Sequence, residues 1–478
     1  MRAAALLAAA PLFVGCAGSF AGYDLAPNGL PEPEEALRRG LAFEPEKVYR
    51  EVLDGERPLP DDDLLRLLYA GTAARYGGHY EESSHLLDLA AYLAEDRVTR
   101  SVSREVLSMI TSDRALAYTP GRTERLMIPY FAALNYLDTD RLQDAAVEAR
   151  RMEALLDRFD DGVAPEDVPA ASRVFHYFAA AVFEAAGEWN AADVAYRRAA
   201  PLVDSPSTAR GRPPGDSLGD VLVLVEQGFI PHRVEQSVIV VLPPAQAVAL
   251  KDGDVGEKAA AALDAGARIL AAAARFYGDR GPYYRNRAYD RTVRLEPWRD
   301  DRCRSWGRAS AYCDDSDDES AYVLRIAWPV LYQASPSPAA VRVHAGDRSA
   351  EFVVDLDLDA GARHDFDDGR KTMVARTVLR AAAKLALTAE IEDRVSEKDE
   401  TAGEVVGALF NIGTLLAERA DTRSWHLLPA SVSIVRLQLP PGTHDLTVST
   451  GQGGDTTPLG PVEVRAGRTT FVSTRIWR

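Results

Sequence analysis

Phe175 to Ala200 reads FHYFAAAVFEAAGEWNAADVAYRRAA. Within it, Ala180, Phe183, Gly187, Trp189, Ala192, Tyr196 and Ala199 fall at the spacing of a helix–turn–helix repeat. Small residues let the two helices approach closely, a glycine makes the turn, and the large side chains fill the space between neighbouring repeats. Two more copies lie upstream. One runs Gly71, Gly78-His79-Tyr80, Ser83, Leu87, Ala90; the other runs Ala133, Tyr136, Asp140, Leu142, Ala145, Ala149, with Asp140 where a glycine is expected. Further helix is expected between them, over Val98 to Ala117. The spacing predicts an α-solenoid-like array over residues 34–204 that folds alone.

Ser205 to Gly219 is rich in Pro, Gly and Ser and marks a boundary, after which the periodicity changes. Val221 to Val225 and Val238 to Leu242 are short, continuous apolar runs, as in buried strands. Further strands are expected over Ala321–Tyr332, Ala340–His344 and Ser349–Leu358, with helices over Lys258–Tyr277, Lys371–Ile391 and Val405–Leu416. From Leu428 onward, alternating apolar residues are broken by Pro440-Pro441-Gly442 and Ala466-Gly467-Arg468. The expected fold class is therefore α+β and multidomain. A helical solenoid over 34–204 is followed by a mixed α/β domain over 220–427 and a C-terminal β-sandwich-like domain over 428–478.

The N-terminus predicts export. Arg2 precedes an apolar run from Ala3 to Val14, shorter than the roughly 20 residues that span a bilayer. It ends in Phe13-Val14-Gly15-Cys16: bulky apolar, small, then cysteine, the pattern of a lipoprotein signal. Residues 1–16 are thus expected to be a signal peptide with lipidation at Cys16, and 17–33 a tether. Ala17 is compatible with sorting to the outer membrane, the chain facing the periplasm. Cys303 and Cys313 remain as an even pair, expected to form a disulfide in an oxidising compartment. A net charge of -17 argues against nucleic acid as a partner.

Candidate binding residues stand out in two segments. Arg285, Arg287, Arg291, Arg294, Arg299, Arg302, Arg304 and Arg308 interleave with Tyr283, Tyr284, Tyr289, Trp298 and Trp306, a composition enriched at binding hot spots. An acidic loop, Asp314 to Glu319, follows and offers an internal partner for those arginines. In Asp421-Thr422-Arg423-Ser424-Trp425, Arg423 could grip a carboxylate with Trp425 as a stacking face. The structural alternative has Arg423–Asp421 pinning a junction while Trp425 fills a groove, and it is preferred. Asp355, Asp357 and Asp359 alternate along a strand but lack the glycine and the acidic twelfth position of a calcium loop. His364-Asp365-Phe366-Asp367-Asp368 is read as helix capping rather than acid–base chemistry. No hydrolase, metalloprotease or phosphate-loop motif is present in the sequence. No cofactor, no metal and no catalysis are expected.

Several short motifs recur in a fixed order: Glu226-Gln227-Gly228 with Pro231; Arg376 to Ala381 with Lys384; Ala420 to Trp425 with Leu428-Pro429-Ala430; and Pro440 to Thr443. Leu134-Asn135-Tyr136-Leu137 and Val147 to Arg151 accompany them in the helical block. Together they resemble an uncharacterised family of bacterial envelope lipoproteins with tetratricopeptide-like (TPR) helical repeats. The segment around Cys303 and Cys313 departs from that pattern. The signal, the solenoid and the missing catalytic motifs lead to the expectation of an outer-membrane-anchored periplasmic protein acting as a non-catalytic interaction scaffold for an envelope protein partner, and the resemblance implies an envelope lipoprotein. It also implies proximity to peptidoglycan synthesis, as a regulator or activator, with peptidoglycan itself a possible partner; a cell-wall carbohydrate-processing enzyme is a more distant reading. The partner is expected to meet polar residues on the open side of the inner helices: Arg75, His79, Asn135 and His176. The expected outcome for the anchor is direct: Cys16→Ser abolishes labelling by palmitate and moves the protein out of the membrane fraction.

Overall fold

A computed structural model describes residues 30–104, 117–164, 167–200, 217–241, 283–285, 292–295, 323–333, 338–370, 419–451 and 455–477, with isolated helical positions at 257, 260, 373, 376 and 377. The signal, the tether as far as residue 29, the disulfide pair, the acidic loop, most of the arginine-aromatic stretch and most of the three later helices lie outside the described residues; the end of the expected tether is not a tether, since Leu30 is buried and Glu32 and Pro33 open α1.

The helical half runs α1 (Glu32–Phe43), α2 (Pro45–Leu53), α3 (Asp63–Tyr76), α4 (Tyr80–Arg104), α5 (Arg122–Asp138), α6 (Leu142–Phe159), α7 (Ala170–Ala185) and α8 (Trp189–Ala199). The three sequence repeats are the hairpins α3–α4, α5–α6 and α7–α8. Each turns the same way. Gly78, Asp140 and Gly187 take positive φ of 83°, 55° and 78°. The next residue then donates back into the preceding helix: His79 to Ala74, Arg141 to Tyr136 and Glu188 to Phe183, each N–H···O at 2.8 Å. That backbone bond satisfies a carbonyl the helix end leaves open, and it demands the left-handed conformation. Asp140 therefore stands in for a glycine. The further helix expected from Val98 is a continuation of α4 as far as Arg104.

The strands are β1 (Gly219–Gln227), β2 (His232–Val241), β3 (Tyr283–Arg285), β4 (Thr292–Leu295), β5 (Val323–Gln333), β6 (Val341–Ala345), β7 (Arg348–Asp357), β8 (Ser431–Leu439), β9 (Gly442–Thr450), β10 (Asp455–Val464) and β11 (Thr469–Ile476). They form a seven-stranded sheet in the order β10-β9-β6-β7-β8-β1-β11 and a four-stranded sheet in the order β3-β5-β2-β4. The expected C-terminal sandwich is corrected here. Strands β8 to β11 share one sheet with β1, β6 and β7, so no boundary at residue 428 separates two cores. The larger sheet nearly closes: β10 and β11 come together at its ends, and Thr470 Oγ1 donates to the Glu463 carbonyl at 3.3 Å. A Cβ at Gly219 would lie 2.4 Å from the Arg465 carbonyl oxygen, so only glycine lets β1 begin beneath that loop.

The burial of β1 explains the layout. Every residue from Gly219 to Gln227 is buried. Val221, Val223 and Val225 point into the curled sheet with Val343, Val435, Leu437 and Val448. Leu222 and Leu224 point the other way, into the helical core, with Val354, Leu356, Val432 and Ile434 from β7 and β8. A strand covered on both faces reads as an unbroken apolar run rather than an alternation. The facing helices show the complementary signature: Leu126 to Asn135 of α5 and Val174 to Glu184 of α7 are buried all round. The inner face of the helical array is thus filled by the chain's own sheet.

Helical residues 358–370, here α9, follow β7 directly. Asp365, expected just before a helix, sits inside α9 and caps a different one: it accepts from the Thr123 N–H at 2.7 Å, at the start of α5. The left-handed turn at Asp140 gives a stability test. Asp140→Gly is expected to stabilise the protein by about 0.5–1 kcal/mol, and Gly187→Ala to destabilise it by a similar amount, in denaturant unfolding.

Candidate docking surface

Three of the polar residues expected to line an open groove are buried in the helix–sheet seam or between helices. Arg75 is 5% and Asn135 1% exposed. Arg75 donates to Asn135 Oδ1 at 2.7 Å and to Ser473 Oγ of β11 at 3.1 Å, and pairs with Asp138 at 3.1 Å. His176, also 5% exposed, contacts Glu153 through Nδ1 at 2.7 Å, and Arg198 reaches the same carboxylate at 2.8 Å. The assignment of these residues to an open partner-binding face is corrected: they are internal ties. His79 is open to solvent but faces α2, stacked on Tyr49 at 4.1 Å and 2.8 Å from Glu46.

Trp425 is fully buried against α5, edge-on to Phe131 at 5.7 Å, and its indole N–H donates to Thr72 Oγ1 at 3.0 Å. Arg423 makes two 2.8 Å bonds to Asp421. Trp425, and Arg423 through Asp62 at the start of α3 (3.5 Å), hold the segment before β8 onto the array, so Trp425 offers no stacking face to a partner. Arg285 closes β3, opposite Gln333 of β5; Arg287, Trp298 and Trp306 lie outside the described residues.

Sequence reasoning missed a set of charged groups that fix the sheet to the helices. Asp220 and Glu226 stand at the two ends of β1 on its helical side. Arg436 of β8 binds Asp220 and, at 2.5 Å, Glu184 of α7. Burial alone would lower the Arg436 pKa; the hydrogen bonds to Glu184 and Asp220 more than reverse it and keep the guanidinium charged. Glu226 accepts from Tyr76 at 2.7 Å and from Tyr130 at 3.2 Å. The legible signal was a charge placed on an otherwise apolar strand face.

With the inner face filled, two open grooves flank α4 on its outer side. One, of about 420 Å³, lies between α2, α3 and α4 and is lined by Tyr49, Val52, Leu53, Leu59, Leu67, Ala70 and Leu86 with Asp63, Arg66 and Glu82. The other, of about 530 Å³, lies between α4, α5 and α6. Its floor and walls are Ala91, Ala94, Ile128, Pro129, Ala154 and Leu155, with Asp88, Tyr92, Glu95, Arg125, Arg151 and Arg158 around the rim. Large apolar side chains are exposed beside both: Leu53 at 64% and Tyr92 at 78%. Pro129 has no N–H, so the Arg125 carbonyl on this floor lacks its helical donor.

Behind the rim, burial pushes the Glu148 carboxyl up to about 7, against the pull of Arg151 at 3.2 Å. Among the described residues no group of His, Cys, Asp and Glu is placed to hold a metal ion, and no helix is long and apolar enough to cross a membrane.

No protein-family model and no curated protein matches the chain. Two solved structures are similar to part of it. One is a Podosopora anserina putative kinesin light chain with nearly identical TPR-like repeats: 14% identity and a TM-score of 0.25, over 37% of this chain and 76% of that one. The other is a single-substitution variant of the same protein: 15% identity and a TM-score of 0.24, over 37% of this chain and 75% of that one.

The raised Glu148 pKa carries a pH dependence of definite sign. Below about pH 4.5 the carboxyl is protonated whether the chain is folded or not. Between there and about 7 the unfolded chain releases its proton and the folded one keeps it, so stability falls as pH rises. Glu148→Gln is expected to flatten that slope and to gain about 3–4 kcal/mol at pH 8, each pKa unit being worth about 1.4 kcal/mol, in unfolding titrations at pH 4.5 and pH 8.

Proposed function

We propose that this chain is a lipid-anchored protein of the bacterial envelope that works without catalysis, as a docking platform for another envelope protein. Its docking surface is the outer face of the helical array, centred on α4. The observation that carries this reading is the filled inner face. Leu222, Leu224, Val432 and Ile434 occupy the side that a free solenoid would offer to a partner. Among the described residues, two open apolar grooves lie on either side of α4. The Phe13-Val14-Gly15-Cys16 signal supports the anchor. Helical hairpins in series suit partner recognition, since they present long, regular grooves on a stiff support.

The experiment places a photo-crosslinking phenylalanine analogue at Tyr92, at Leu53 or at Glu463, the last exposed on β10 away from α4. In cells, the same protein adduct is expected from the Tyr92 and Leu53 positions and none from Glu463. Adducts from Glu463 alone, or cleavage of peptidoglycan by the purified chain, would overturn the reading.

A further inference from the structure

The groove between α4, α5 and α6 has an unusual frame. Across its mouth run two ion pairs: Asp88 of α4 to Arg151 of α6 at 2.5 Å, and Glu95 of α4 to Arg158 of α6 at 2.6 Å. In both helices the charged positions are seven residues apart, two turns or about 10.5 Å along the axis. The α4 wall is therefore acidic at both ends and the α6 wall basic at both ends. Between the two bars lies an apolar window floored by Ile128 and Pro129 and sided by Ala91 and Ala154. Helix α5 lies beneath, so α4 and α6 form the banks of a trough.

We infer that this trough receives an amphipathic helix of another protein, carrying one bulky apolar anchor between flanks of opposite charge. The inference rests on the proposed docking function and names the occupant of one of its grooves. Three features select a helix. A trough between two parallel helices with a third beneath accepts a further helix along its length. The seven-residue repeat of the wall charges is matched by residues two turns apart on a helix, which share one side; a strand turns successive residues to opposite faces. The apolar window between the bars, floored by Ile128 and Pro129, seats an apolar anchor carried between the two charged positions of one helix side. Charge complementarity fixes the flanks: basic residues toward Asp88 and Glu95, acidic residues toward Arg151 and Arg158. All four wall side chains are half-exposed, so their mutual pairs hold the mouth weakly and exchange readily for a partner's charges. On the rim Arg125 also reaches Glu95 at 3.1 Å, so Glu95 keeps one cation when Arg158 turns to a partner's carboxylate.

The test uses the purified full chain and three fluorescein-labelled synthetic helical peptides sharing one central leucine as the apolar anchor. Their flanks are glutamate opposite lysine, glutamate on both sides, or lysine on both sides. Fluorescence anisotropy is expected to show at least a tenfold preference for the mixed peptide. Asp88→Lys with Glu95→Lys makes both walls basic, and preference should move to the all-glutamate peptide. Arg151→Glu with Arg158→Glu makes both walls acidic, and preference should move to the all-lysine peptide. Ala154→Trp, at an exposed helix position, fills the window and should abolish binding of all three, with circular dichroism and melting confirming that each variant is folded. Preferences that ignore the wall charges, binding that survives Ala154→Trp, or binding of no peptide would each overturn the inference. So would a dimer of the chain alone that Ala154→Trp disperses, which assigns the trough to a second copy. Adducts from the Tyr92 position in cells despite any of these results would leave the docking function standing and remove only its helical occupant.

Discussion

The structure depends on one strand being covered twice. β1 offers valines to the interior of a nearly closed sheet and leucines to the helical array, so neither layer is complete without it. Its terminal acids add direction to this apolar contact. Asp220 is held from β8 by Arg436 and Glu226 from α3 and α5 by Tyr76 and Tyr130. Burying such groups costs a large desolvation energy unless each is paired, so they tolerate little sliding of sheet against helices. Apolar area supplies the attraction, and the charged ends set the register in which it acts.

That arrangement changes what the helical repeats are for. A solenoid is stiff because each hairpin leans on the next, and its inner face is ordinarily free. Here the inner face is taken by the sheet, and Arg75, Asn135 and Trp425, which look like recognition residues in isolation, serve as fasteners. A groove that stays open lies on the outer side, where Asp88, Glu95, Arg151 and Arg158 remain in solvent around an apolar floor.

The hairpins were legible because their determinants are local. The turn of Gly187, the small residues Ala192 and Ala199 and the large Tyr196 sit within one short stretch. The same locality makes the Asp140 repeat readable despite its missing glycine: an aspartate tolerates the left-handed turn that glycine prefers, at a modest cost. The sheet was not legible, because β1 pairs with β8 and β11, and nothing local in Val221 to Val225 names those partners. One cue was available. The run from Val174 to Glu184 carries large or apolar residues on every side, and a helix apolar all round is buried all round. The rim charges of the outer groove were invisible for a related reason: Asp88 and Arg151 meet only when α4 and α6 are set side by side on α5.

The separation of β1 from its neighbours also governs the order of assembly. The helical hairpins are made of contacts close in sequence and need no distant segment to form. β1 is flanked by strands that begin at Ser431 and Thr469, more than 200 residues further on. Closing so long a loop is slow, because its entropy is lost before any pairing compensates. During that interval the apolar faces of α5 and α7 have no cover, and such exposed surface is what chaperones hold and what drives aggregation. The seam that gives the finished protein its rigidity thus rests on the contacts most distant in sequence, and until they are made the folding chain keeps its largest apolar faces uncovered.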